Sequence, residues 1–456
     1  MKTAPSALTT GSIPSTLFTF TLPILMGNVL QSLNGSVNAI WVGKFLGPAA
    51  LSATANANTV MFLLLGAVFG ITMASTILIA QHVGARNSIE AKRVVGTSAT
   101  FFIGLSVLIS AAGLISSRGI LGWMGTPADA IEFAVSYMRV MFLALPASYA
   151  FFFVMAALRG AGDSKTPFYF LVMSVVLDIV LNPLLIFGMG PVPAMGIAGS
   201  ATATLIAQTL SFAAMLRHVY VRRNPLALHR GEFGMLIPDM AILRTLVVKG
   251  IPMGLQMIVL SSSMVMLFRV VNQFGSETAA GFAAAMQLWN YIQMPALALS
   301  AAVSSMTAQN IGANLWERVA KIARAGVMYN FVMTGVPIVL IYLVNRQALG
   351  LFLPAGSPAL EISHHLNMII LWSFALFGVS MVLSGVVRAA GAVVPPLIIL
   401  FVALWAVRVP LSYWAADRWG ADGVWWTFSL SAVIAVVLTA LYYRFGNWRN
   451  ARMTPA

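Results

Sequence analysis

The chain has no cysteine. Disulfide staples, thiolate metal sites and cysteine nucleophiles are therefore excluded. Charge is scarce too: charged residues are 8% of 456 positions, where a soluble domain carries about 25%. Only 12 residues are acidic and 5 are histidines. No glycine-rich phosphate cradle occurs, and no pair of acids lies inside an apolar run. His82, His218, His229, His364 and His365 fall in expected loops or near helix ends, and the adjacent pair has no acidic neighbour in sequence. Neither an enzyme nor a cofactor is expected.

What is present is apolar. Hydrophobic residues make up 59% of the chain, and the mean hydropathy is +0.89. At this length the composition describes an all-α integral membrane protein with many spans, resident in the cell (inner) membrane. The net charge of +14 is not gathered into a basic domain, which argues against nucleic acid as a partner. Lys and Arg punctuate alternate loops instead. With both termini on one side, that side takes Lys2 and most of the other basic residues, including Arg388. The opposite loops hold only Lys44, Arg118, Arg346 and Arg418. The positive-inside rule then puts both termini in the cytoplasm. The apolar stretch Leu17 to Trp41 is too long for a signal-peptide core, so it is expected to be the first retained span.

Twelve transmembrane helices are expected, near 16–43, 49–82, 91–117, 127–158, 165–188, 196–223, 242–274, 277–310, 315–345, 358–390, 394–416 and 421–446. The longest polar break follows the sixth. It divides the chain into an N-terminal lobe (1–223), a cytoplasmic linker (224–241) and a C-terminal lobe (242–456). The halves repeat. Arg159 with Gly162 and Pro167 recurs as Arg388 with Gly391 and Pro396, and Pro23 recurs as Pro252 at the same spacing. Ala80-Gln81 with Gly84-Ala85 recurs as Ala308-Gln309 with Gly312-Ala313, at a spacing one position shorter. Two pseudo-symmetric six-helix bundles in one orientation are expected, with substrate held between them.

One carboxylate stands deep in an apolar run: Asp178. The other acids fall in loops or within a turn or two of helix ends. An acid at bilayer depth costs roughly 2.5–3.5 kcal/mol, so it marks function. Polar residues at helical spacing surround it in the sequence pattern. The first helix carries Gln31, Asn34 and Asn38, the fifth Ser174, Asp178 and Asn182, and the sixth Ser200, Thr204 and Gln208. Offsets of three and four put each set on one helix face. Asp178, Asn182, Asn38 and Thr204 lie at matching depths in the outer half of their helices, so one pocket can hold all four. A carboxylate with amide and hydroxyl oxygens suits Na⁺, or a proton taken up by the acid. Pro183 frees a carbonyl one turn back and marks a bend. The competing reading is interhelical glue, which accounts for the Ser, Thr and Asn residues more readily than for the acid.

Arg139, Arg269 and Arg408 also sit inside expected spans. Arg269 is near an end and snorkels; Arg139 and Arg408 lie deeper, and Arg408 is a candidate anion-binding residue. Gln287, Asn290 and Gln293 form a polar line expected to face the cleft between the lobes.

The chain resembles the multidrug and toxic-compound extrusion (MATE) family. The likeness rests on Leu22-Pro23, Val42-Gly43 with Leu46-Gly47-Pro48, Ala80-Gln81 with Gly84-Ala85, Leu158-Arg159-Gly160-Ala161-Gly162-Asp163 with Pro167, and Leu181-Asn182-Pro183-Leu184. Resemblance implies a V-shaped antiporter that expels amphipathic, often cationic compounds against H⁺ or Na⁺, with bends near Pro23 and Pro183. It also implies an N-lobe cation site with departures. Asn38 stands where the family usually has Asp, and Asp178 precedes Asn182 where one branch has the reverse order. Leu260 and Phe377 are near the places of C-lobe acids found in some branches. Partners are then small amphipathic molecules and the bilayer, and a monomer is expected. The alternative within the superfamily is a flippase or exporter of a lipid-linked or anionic metabolite, for which Arg139 and Arg408 would be the basic groups.

Overall fold

The computed structural model describes residues 8–127, 129–188 and 193–453, so Lys2 lies outside the described residues. Among these the chain is helical throughout. The first half holds α1 (Ile13–Phe45), α2 (Pro48–Gly84), α3 (Ser88–Trp123), α4 (Ile131–Gly160), α5 (Lys165–Phe187) and α6 (Ile197–Val221). The second half holds α7 (Met240–Val271), α8 (Ser276–Gly312), α9 (Trp316–Leu343), the short α10 (Asn345–Leu349), α11 (Pro358–Ala389), α12 (Val394–Phe401) and α13 (Val409–Phe445). A π-helical stretch, Val402–Arg408, joins α12 to α13.

Among the described residues ten stretches are long and apolar enough to cross a membrane. The last, Val394–Phe445, runs 52 residues and breaks at Gly420, whose φ of 63° and ψ of −149° leave the helical region. At about 1.5 Å per residue it is long enough for two crossings. The 37-residue α8 is also long enough for a crossing but more polar, and most of its residues are buried against the rest of the protein. With these two the twelve expected spans are accounted for, each within a few residues of its expected bounds. This is a multi-pass membrane protein.

Helix ends are fixed by local chemistry. Asp163 Oδ1 accepts from the backbone N–H groups of Lys165 and Thr166 at 3.0 and 2.9 Å and starts α5. Gly188, at φ 72°, ends it in a conformation that side-chain-bearing residues avoid. Asn87 caps α3 by accepting from Glu90 N–H at 3.1 Å.

The chain packs as two compact units. One holds Met26–Val247; the other holds the stretch ending at Leu25 together with the chain from Val248 onward. Thus α1 and α7 are each divided between units. The divisions fall just after Pro23 and just before Pro252, prolines that each delete one i→i−4 hydrogen bond. Inside the first unit α4 packs on α2, α3 and α6; inside the second its repeat, α11, packs on α8, α9 and α13. The repeated sequence therefore yields a repeated packing scheme. The second unit's core includes the aromatic cluster Phe282, Trp289, Phe374, Trp425 and Phe428.

The segment before α7 is strapped along α3. Asp239 N–H donates to Thr97 Oγ1 at 3.1 Å, and Thr100 Oγ1 donates to Leu236 O at 2.6 Å. Lys92 Nζ donates to both carboxylate oxygens of Glu232, at 2.7 and 2.6 Å. That bond, helped by the His229 N–H, holds the Glu232 carboxyl below its ordinary range. A depressed acid stabilises the fold above its unfolded value of about 4.3 and loses that contribution as pH falls through the lower, native value. Amide protection across 226–237, relative to intrinsic exchange at each pH, is therefore expected to be higher at neutral pH than below about pH 4. In Glu232→Gln this pH dependence should be lost, as read by hydrogen–deuterium exchange.

Candidate cation site

Asp178 lies on the buried face of α5 with Ser174 and Asn182, and its side chain is 2% exposed. Four side chains from three helices donate to its carboxylate. On Oδ2, Asn34 Nδ2 arrives at 2.8 Å and Asn38 Nδ2 at 2.9 Å, both from α1. On Oδ1, Thr204 Oγ1 arrives from α6 at 3.0 Å and Asn182 Nδ2 from the next turn of α5 at 3.3 Å. Asn182 Nδ2 also donates to Asn38 Oδ1 at 2.9 Å and to the Asp178 carbonyl at 3.0 Å. These donors take the place of the water a carboxylate loses on burial.

Two oxygens in the cluster are left over. Asn34 Oδ1 and Asn182 Oδ1 are buried and accept no hydrogen bond among the described residues. A buried amide oxygen without a donor is costly, so it favours a cation or proton donor beside it. Together with the Asp178 carboxylate, Asn38 Oδ1 and Thr204 Oγ1 they make a hard-oxygen set with one negative charge, the chemistry of a monovalent cation site. Among the described residues no cluster of three His, Asp or Glu side chains could hold a resident metal.

The MatE family signature matches residues 23–184 and again residues 252–414. The chain belongs to the MATE family. It is 38% identical to the probable multidrug resistance protein YoeA of Bacillus subtilis over 95% of this chain and 94% of that protein. A second Bacillus subtilis relative, the probable multidrug resistance protein YpnP, is 31% identical over 98% of each. The fold matches a MATE crystal structure in the bent conformation with a TM-score of 0.89 and 23% identity, covering 97% of each chain. MATE proteins are transporters, and this chain is one.

Not every residue expected at this site reaches the carboxylate. Ser200 contributes its backbone carbonyl, which accepts from Thr204 Oγ1 at 3.4 Å. Gln208 Oε1 accepts from Ser148 on α4. Gln31 is exposed, and Ser174 is buried on the Asp178 face without bonding to it. On α8, Gln287 and Asn290 are exposed and Gln293 half-buried along one face, as their spacing requires. Arg139 and Arg269 are exposed, while Arg408 is buried.

Three contacts were missed because their partners are far apart in sequence. Tyr137 Oη donates to Asn58 Oδ1 at 3.3 Å across α4 and α2. His365 Nε2, without an acidic neighbour in sequence, lies 3.1 Å from Asp422 Oδ1. Arg388, counted among the loop cations that set orientation, is instead buried at the end of α11. It donates to Gln256 Oε1 at 2.8 Å and to Ser300 Oγ at 3.0 Å.

The site also needs α5 and α6 at close range, and Gly199 provides it. A Cβ there would lie 2.5 Å from the Leu185 carbonyl oxygen, against backbone that cannot yield. Gly199→Val is expected to push α6 outward, costing about 1–3 kcal/mol as overpacking does. Thr204 would then lose Asp178. The checks are a lowered midpoint of thermal unfolding and loss of export, where Gly104→Ala, in open space on α3, should be near neutral.

Proposed function

We propose that the protein is a secondary antiporter that exports amphipathic, often cationic xenobiotics in exchange for H⁺ or Na⁺, with Asp178 as the coupling carboxylate. The observation that carries this reading is the buried Asp178 carboxylate with two undonated amide oxygens in its cluster. The substrate class follows the names of the relatives. The protein acts as a monomer in the cell (inner) membrane with both termini cytoplasmic, in line with the loop charges.

The cycle follows from electrostatics. With its cation site unloaded, Asp178 is a bare buried charge whose four donors come from α1, α5 and α6. A cation or proton neutralises it and completes the shell of Asn34, Asn38, Asn182 and Thr204. The preferred packing of these helices then differs between the two states. Pro23 in α1 and Pro183 in α5 each remove a backbone hydrogen bond, so those helices bend there at least cost. The two lobes, 1–223 and 242–456 about the linker 224–241, exchange the direction in which the cleft opens. Gln287, Asn290 and Gln293 on α8 are the candidate substrate contacts. One charge crossing the membrane supplies about 2.3 kcal/mol per 100 mV, enough for roughly a fiftyfold gradient of neutral substrate.

The test is dye efflux from proteoliposomes under an imposed pH gradient and, separately, an imposed Na⁺ gradient. Wild type should respond to one of them, and Asp178→Asn should lose the response while folding as wild type. Coupled efflux at the wild-type rate in well-folded Asp178→Asn would sink the assignment.

A further inference from the structure

Arg408 is a guanidinium at bilayer depth with no carboxylate beside it. It is 6% exposed. Its Nε donates to Ser431 Oγ at 2.7 Å, and the guanidinium carbon stands 4.5 Å above the Phe428 ring. Its terminal nitrogens make no hydrogen bond among the described residues. All 12 acids of the chain are described, and none pairs with it. In the same half, Glu361 is held by Arg346 and Asp422 by His365, while Asp417 is about 13 Å further along the helix. A guanidinium stays charged in proteins, and an unpaired buried charge is costly.

The repeat explains where this charge sits. The first family match runs from 23 to 184 and the second from 252 to 414, so the second copy is longer by a single position. Pro167 and Pro396 still keep the spacing that relates Pro23 to Pro252. Taking the ends of the two matches as equivalent places the gain after Pro396, where the π-helical stretch Val402–Arg408 has room for an extra residue. Beyond it each counterpart falls one position further along. Asp178 then corresponds to Arg408, and Asn182 to Ser412.

The local geometry repeats as well. Asn182 Nδ2 donates to the Asp178 carbonyl at 3.0 Å; Ser412 Oγ donates to the Arg408 carbonyl at 2.7 Å. Thr204 reaches the Asp178 side chain from the following helix; Ser431, three positions short of the counterpart of Thr204, reaches the Arg408 side chain from the part of α13 beyond Gly420. At the spacing of the two prolines Asn34 corresponds to Ser263, which is fully buried with an unpartnered Oγ. At this level α7 meets the π stretch, where Trp405 Nε1 donates to Val259 O and Ser262 Oγ, each at 3.3 Å.

We propose that the C-terminal half carries a charge-inverted counterpart of the Asp178 site, centred on Arg408, that binds a small monovalent anionic group: a carboxylate or a halide. The free terminal N–H groups of Arg408 are its donors, since a guanidinium fork accepts a carboxylate through two parallel bonds. Ser431 and Phe428 fix the plane of that fork. The Ser263 hydroxyl supplies a further donor. The anion is either a free halide or a carboxylate carried on a transported amphiphile, and the binding chemistry is the same for both.

The test uses purified full-length protein, read by intrinsic tryptophan fluorescence, since Trp405 lies within a turn of Arg408. Chloride, acetate and benzoate are titrated separately at fixed pH without Na⁺, with methanesulfonate, neither a carboxylate nor a halide, holding the ionic strength constant. Failure of cation coupling therefore does not bear on the result. A saturable response is expected in wild type, with apparent affinity about tenfold weaker or worse in Arg408→Gln, the loss typical of a charge-assisted bond. Response to chloride alone identifies a free halide, and response to benzoate or acetate alone a substrate carboxylate; either supports the site. If Arg408→Gln does not fold, Ser431→Ala combined with Ser263→Ala should weaken binding by about threefold or more, the smaller loss expected for neutral hydrogen bonds. No saturable response in wild type, or unchanged affinity in the folded variants, overturns the proposal.

Discussion

The first half of the molecule is arranged around the solvation of one carboxylate. Asp178 has no water to turn to, so α1, α5 and α6 must each bring a donor to it. That requirement explains features that otherwise look unrelated. It explains why α1 carries amides at Asn34 and Asn38 on a helix otherwise fit for lipid. It also explains why α6 approaches α5 closely enough that only glycine fits at Gly199. The donors and the orphaned amide oxygens belong to one balance: a bare carboxylate engages the N–H side of the asparagines, and a bound cation would engage their oxygens.

The second half keeps the scaffold and changes the charge. Its central helix α11 packs on α8, α9 and α13 as α4 packs on α2, α3 and α6. Its π-helical stretch Val402–Arg408 ends on a buried guanidinium, where the first half has its buried carboxylate on α5. The same back-bond from one turn further on survives, Ser412 replacing Asn182. Duplication preserves backbone geometry because packing depends on it, while side chains outside the packing are free to differ.

Other polar contacts serve packing. Arg388 is locked between Gln256 and Ser300, and Trp289 Nε1 donates to Asn367 Oδ1 at 2.9 Å inside the aromatic cluster of the second unit. In a bilayer such bonds hold helices together where the hydrophobic effect does not. The strap before α7 does comparable work outside the apolar region, through Lys92 and Glu232.

The sequence by itself determined the class, the number of helices and the identity of the buried acid. Each is set by local quantities: the length of apolar runs, the positions of breakers, and the cost of a charge at depth. It also put three of the four donors, Asn38, Asn182 and Thr204, in one pocket with Asp178 and left the fourth, Asn34, on the α1 stripe beside them, because helical spacing fixes which side chains share a face. Tertiary structure alone decided how far that face extends. Gln208 shares the α6 stripe yet pairs with Ser148, and Gln31 shares the α1 stripe yet stays exposed. It also moved Arg388 from a loop charge to a buried one and set His365 beside Asp422. Spacing says which residues look the same way; only packing says what stands opposite them.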